Sequence, residues 1–190
     1  MQDNLLCEQE NKDGFAFYAI LLVILIFLFT LFNNNFMIVK VDGDSMNYTL
    51  TNQDVLLVNK NVEIERGDVV VFDMPYAKLI KRVIAKEGDE VYCLEGSVYL
   101  KKAGENEFTL LVEDYAKDET LNLERTIVKE GSVLVLGDNR SNSQDSRYFG
   151  CISLDKINGV VTQSAITNKN VTTFLLGWAF DVSEFFGGLL

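Results

Sequence analysis

Residues 15–32 read FAFYAILLVILIFLFTLF, and the stretch without a charged side chain extends from Gly14 to Val39. At about 1.5 Å per residue, a helix over this run roughly matches the hydrocarbon core of a bilayer. A buried core helix is the alternative, but such helices rarely lack polar residues on every face. A cleavable signal peptide would carry a basic leading region, a shorter apolar core and a small-residue cleavage site. Here the preceding stretch is acidic (Asp3, Glu8, Glu10, Asp13) and the run ends in FNNNFMIV. The reading is a short N-terminal segment over 1–14 and a transmembrane anchor over 15–36, with the lipid bilayer as a partner. Only Lys12 and Lys40 flank the helix, so the distribution of positive charge does not orient it. A second apolar stretch, TTFLLGWAF, lies in a tail over 166–190, but Asp181 and Glu184 interrupt it before it could span. That tail is expected to pack on the domain or rest on the membrane surface.

Beyond the anchor, short runs rich in valine and isoleucine recur: VLLV at 55–58, DVVVF at 68–72, LIKRVI at 79–84, SVYL at 97–100 and SVLVL at 132–136. Turn signals bound them at Arg66-Gly67-Asp68, Glu87-Gly88-Asp89 and Lys129-Glu130-Gly131. This pattern predicts one mostly β domain over 37–165. The charged interval within about 94–130 breaks the rhythm and reads as an insertion containing a hairpin and an exposed loop.

Composition removes several chemistries. With 17 Lys+Arg against 28 Asp+Glu the net charge is -11, which disfavours nucleic acid as a partner. The chain has no histidine, so Ser-His-Asp and Cys-His catalysis are excluded, as are histidine-ligated metals. Cys7, Cys93 and Cys151 form no CxxC pair, and no metal or cofactor is expected. A Cys93–Cys151 disulfide is an option only if the domain lies outside the cell. A serine nucleophile in such a chain needs another base, and lysine is the realistic one.

Three stretches offer the parts. Val41-Asp42-Gly43-Asp44-Ser45-Met46 puts a serine beside a glycine turn, where backbone N–H groups can face an oxyanion. In Leu79-Ile80-Lys81-Arg82-Val83 a strand would place Lys81 on one face with Leu79 and Val83, and an apolar face lowers a lysine pKa. Gly137 to Gly150, GDNRSNSQDSRYFG, is dense in side chains able to hold a loop rigid, with Asp145 and Arg147 able to pair.

In order and content these stretches resemble the boxes of type I signal peptidases. GDSMNYTL is similar to the family's serine box, RGDVVVF to its strand box, LIKRVIAKEGD to its lysine box and GDNRSNSQDSRYFG to its final box. The resemblance spans about Val39 to Val160 and is of the Gram-positive kind. It implies an all-β, partly barrel-like catalytic domain that removes signal peptides from secreted preproteins after small residues. That domain would sit on the extracytoplasmic face of the cell membrane, held by a single pass with the N-terminus inside. It further implies Ser45 as nucleophile, Lys81 as general base, and Ser143 as the hydroxyl that orients the lysine amine. Asp138, Asn139, Arg140, Asp145 and Arg147 would hold the site loop, and Gly43, Asp44 and Ser45 the oxyanion region. Val41, Met46, Leu50 and Ile80 would line substrate pockets. Two departures stand out: Tyr48 replaces the family's proline, and Ala85-Lys86-Glu87 replaces its GLP.

Three other readings compete. A repressor-type Ser-Lys self-cleaving peptidase would carry a DNA-binding domain where this chain has its apolar run. A penicillin-binding site is suggested only by Ser153-Leu154-Asp155-Lys156, without the accompanying SDN and KTG elements. A non-catalytic membrane scaffold would have no need of Ser45, Lys81, Ser143 and Asp145. The preproteins cleaved and the oligomeric state are not legible.

Overall fold

A computed structural model describes residues 2–168 and 170–177, with side chains from residue 15 onward. The chain divides into two compact units, Met1–Phe36 and Met37–Leu190. The first is dominated by helix α1, Gln2–Asn35. Its portion Phe15–Asn35 is long and apolar enough to cross a membrane. Side chains 15–34 are exposed all round, a surface that suits lipid better than water. The expected boundaries shift at both ends. Segment 1–14 is not separate but helical from Gln2, since it contains no proline to stop the helix. The anchor expected over 15–36 ends at Asn35, where Asn35 Nδ2 donates to the Leu31 carbonyl at 2.7 Å. Three asparagines, weak helix formers, precede the β-branched Ile38 and Val39 there.

In chain order the strands are β1 (Phe36–Lys40), β2 (Val55–Asn59), β3 (Val69–Met74), β4 (Ala77–Lys86), β5 (Glu90–Leu94), β6 (Ser97–Lys101), β7 (Thr109–Leu110), β8 (Thr126–Ile127), β9 (Ser132–Leu136), β10 (Ile152–Ser153) and β11 (Ile157–Val161). They form a seven-stranded sheet, β1-β2-β11-β3-β4-β9-β10, and a four-stranded sheet, β7-β6-β5-β8. Pairing is antiparallel along β2-β11-β3-β4-β9-β10 and throughout the smaller sheet. No strand pairing among the described residues closes the larger sheet into a barrel. Short helices α2 (Ser146–Phe149) and α3 (Gln163–Thr167) follow the strands they flank.

The uninterrupted valines of β3 have a direct cause. Val69 and Val71 enter one core cluster with Met46, Leu50 and Val58, while Val70 and Phe72 enter another with Val83 and Val135. A strand covered on both faces reads as a continuous apolar run rather than an alternating one. A third cluster joins Ile84, Leu134 and Leu136 of the large sheet to Val91, Val98 and Leu100 of the small one. The interval 94–130 is therefore not a solvated appendage. Its strands share a core with the larger sheet, and Thr120, Leu123 and Val128 are buried. Within the tail, residues 170–177 are helical, and Thr173 Oγ1 accepts from the Val55 N–H at 2.9 Å. The apolar tail thus touches the domain, while residues 178–190 lie outside the described residues.

Strand β11 has a glycine in its middle because nothing else fits. A Cβ on Gly159 would stand 2.4 Å from the Asn59 carbonyl oxygen of the neighbouring strand. Gly159→Ala is expected to lower stability by about 1–3 kcal/mol through this overpacking, measured as a lower denaturant midpoint by circular dichroism of the full chain in detergent. An unchanged midpoint would show that β2 and β11 separate freely.

Candidate active site

Lys81 sits in β4 at 2 % exposure. Its Nζ lies 2.6 Å from Ser45 Oγ and donates to the Ile80 carbonyl at 2.9 Å. Burial disfavours the ammonium form and draws the pKa from its ordinary 10.5 down to about 8, against the charges of Asp145 and Asp138, which raise it. An ammonium donates along the Ser45 line, and a neutral amine can accept the serine proton along that same line.

Ser45 is fixed by its neighbours in sequence. The turn closes through Asn47 N–H to the Asp44 carbonyl at 3.0 Å and Leu50 N–H to the Met46 carbonyl at 2.8 Å. Met46 and Leu50 plug it into the first core cluster. Asn139 then clamps it from the other chain segment, donating its N–H to the Ser45 carbonyl at 3.1 Å and its Nδ2 to the Asp44 carbonyl at 3.0 Å. The Gly43 N–H is spent on Asn52 Oδ1 at 3.2 Å, so it is not held ready for an oxyanion. The Ser45 N–H meets no protein acceptor among the described residues.

The loop after β9 brings the remaining expected residues together. Arg82 Nε and Nη2 donate to the fully buried Asp138 at 2.8 and 2.6 Å, and Thr49 Oγ1 donates to the same carboxylate. Arg147 forks onto Asp145 at 2.8 and 2.9 Å, and Asp145 also accepts the Gly137 N–H at 3.0 Å. Burial alone would raise the Asp145 carboxyl, but Arg147 and the Gly137 N–H outweigh it and hold the group below the usual carboxylate range. Gly137 permits the closest approach in the site. A Cβ there would meet Ser143 Oγ at 2.2 Å and the Ser45 carbonyl at 2.6 Å.

Two expectations need correction. Ser143 makes no hydrogen bond to Lys81 here: the Ile80 carbonyl takes the Lys81 donor, and the Ser143 hydroxyl acts on the Asp145 carboxylate, which it helps to hold low. Leu50 does not line a substrate pocket. It is 0 % exposed in the core, whereas Val41, Met46 and Ile80 border a groove of about 370 Å³ beside Ser45 and Lys81. The groove's remaining wall includes Met37, Val39 and Leu79, which the sequence reading passed over. The lone Ser153–Lys156 match falls on β10 and the turn after it and takes no part in this arrangement. Cys93 and Cys151 are free thiols packed against one core cluster.

Sequence reasoning also missed Thr49 and Arg82 as partners of Asp138, and Glu113, Tyr115 and Thr120, which reach Arg140 from the interval expected as an exposed loop. The available signal was Tyr115, an aromatic stranded in an otherwise acidic run.

The profile of the family described as signal peptidase, peptidase S26, matches residues 14–165. The chain belongs to this family. Among its relatives, signal peptidase I T of Bacillus subtilis (strain 168) is 36% identical over 134 residues, covering 63% of this chain and 68% of that protein. Signal peptidase IB of Staphylococcus aureus (strain Mu50 / ATCC 700699) is 34% identical over 140 residues, covering 64% and 73%. The crystal structure of a signal peptidase I from Enterococcus faecalis V583 superposes with a TM-score of 0.44 at 28% identity, over 53% of this chain and 98% of that one.

The turn after Ser45 holds a non-glycine residue in a costly backbone conformation. Tyr48 has φ 84°, in the left-handed region that costs an ordinary residue roughly 1–2 kcal/mol. Proline, locked near φ −65°, could not adopt it. The turn after Ser45 is therefore built on a residue other than proline at position 48. Its ring is half exposed, with Lys117 Nζ 5.0 Å from the centroid. Restoring the family residue is expected to harm this protein: Tyr48→Pro should lower the melting temperature, while Tyr48→Gly should raise stability by up to about 1 kcal/mol. A melting temperature raised by Tyr48→Pro in a thermal scan would show that residue 48 is not held in the left-handed region.

Proposed function

We propose that this peptidase is anchored in the cell membrane by Phe15–Asn35, with Met37 onward on the extracytoplasmic face, and cleaves signal peptides from secreted preproteins after small residues. The observation that carries the reading is the 2.6 Å contact between Ser45 Oγ and a lysine amine that is 2 % exposed. Neutral Lys81 takes the Ser45 proton as Oγ attacks the scissile carbonyl carbon. The resulting oxyanion faces the Ser45 N–H, and the Lys81 ammonium returns its proton to the leaving amine as the C–N bond breaks. A water molecule, deprotonated by the same amine, then hydrolyses the acyl-enzyme and frees Ser45.

The groove beside Ser45 supports binding of an extended substrate next to the nucleophile, because its walls come from residues 37–43 and 78–81 and include the apolar Val41, Met46 and Ile80. Sharing one bilayer with the apolar segment of the substrate raises the effective concentration of a weakly bound peptide.

Ser45→Ala and Lys81→Ala are each expected to reduce preprotein cleavage in detergent by about 10³-fold or more. In the wild type, kcat/KM should rise about tenfold per pH unit while Lys81 is protonated and level off above about pH 8, where the amine is neutral. Cleavage retained by either variant, or a rate that falls as pH rises from 6 to 8, would contradict the assignment.

A further inference from the structure

The segment between β7 and β8 sends side chains beneath the site loop. Arg140, whose side chain is 0% exposed, forks onto Glu113, with Nη2 to Oε1 at 2.6 Å and Nη1 to Oε2 at 3.0 Å. The same guanidinium donates to Thr120 Oγ1 and, through Nε, to the Gly137 carbonyl at 2.9 Å. The Tyr115 ring lies against two cations, with Arg82 4.1 Å and Arg140 5.9 Å from its centroid. Its phenol donates to Glu113 Oε1 at 2.9 Å. Burial, and then the neighbouring Glu113 charge, push that phenol's pKa up and keep it a donor.

The other ends of these arginines matter for the chemistry. Arg140 holds the Gly137 carbonyl, and Gly137 is pressed against both Ser143 and the Ser45 carbonyl. Arg82 holds Asp138, which also accepts from Thr49 in the nucleophile turn. A buried guanidinium deprived of its carboxylate must move toward water or another acceptor. Either movement would drag the peptide that borders Ser45.

We propose that Glu113 and Tyr115 are positioning residues for this reaction, fixing Arg140 and Arg82 and thereby the placement of Ser45 against Lys81. The proposal rests on the Ser45–Lys81 reading above. Neither residue touches the reacting atoms, so both act through the two arginines.

The test uses the full chain in detergent, with active sites counted by a peptide-boronate titrant and kcat expressed per titrated site. Glu113→Gln is expected to lower kcat per site by about tenfold or more with KM within about twofold of wild type, as expected for misplacement of reacting groups. Glu113→Asp keeps the charge but shortens the reach, and should recover part of that loss. Glu107→Gln, an exposed carboxylate of the same interval, should match wild type. If Glu113→Gln does not fold, Glu113→Asp and Tyr115→Leu decide on the same readout. A kcat per site equal to wild type in the Glu113 variants, even with fewer titratable sites, would overturn the proposal and leave a merely structural role. A wild type that does not cleave would instead overturn the Ser45–Lys81 reading on which it stands.

Discussion

An amine can act as a base at neutral pH only where its charged form is made costly, and Lys81 is held under that condition by burial rather than by a neighbouring cation. The two carboxylates whose charges act on it, Asp138 and Asp145, oppose that effect. Each is engaged by a guanidinium, Arg82 on Asp138 and Arg147 on Asp145. Without those arginines, two buried negative charges would hold the lysine as an ammonium. Buried ion pairs of this kind return little net stability, because both partners lose water. Their value here lies in setting the electrostatics and the geometry of one serine and one lysine.

The scaffold follows from the same need. A lysine can be buried in a strand only if its face of the sheet is covered, and the apolar side chains of β3, β4 and β9 enter three core clusters around it. Ser45 is then carried on a turn rather than a strand, plugged into the core by Met46 and Leu50 and clamped by Asn139. Rigid strands hold Lys81 while a cross-braced turn holds Ser45. Their meeting depends on the single close approach at Gly137.

Much of this was legible from local patterns. The apolar run gave the helix, and five short apolar segments gave β2, β3, β4, β6 and β9; in β3 and β9 continuous burial leaves a continuous apolar signature. Strands β5 and β11 were not legible: EVYCL mixes a charge with the half-buried Tyr92 and Cys93, and INGVV is broken by the glycine that Asn59 demands. In the site, Ser45, Lys81, Asp145 and Arg147 could be named because the pairings are short-range or carried by a recognisable motif. Glu113, Tyr115 and Thr120 could not, since charged residues in a loop look solvated until tertiary contacts bury them. Tyr48 was noticed as a departure, but its left-handed backbone is a property of the folded turn and has no signature in composition.

The most direct test of this account is an NMR titration of the Lys81 side chain in full-length protein with 13Cε-labelled lysine, assigned by comparison with Lys81→Met. A midpoint near 8 in the folded protein is the predicted result. A midpoint at or above the ordinary 10.5 would mean that the amine is a permanent cation, and would contradict its role as the base for Ser45.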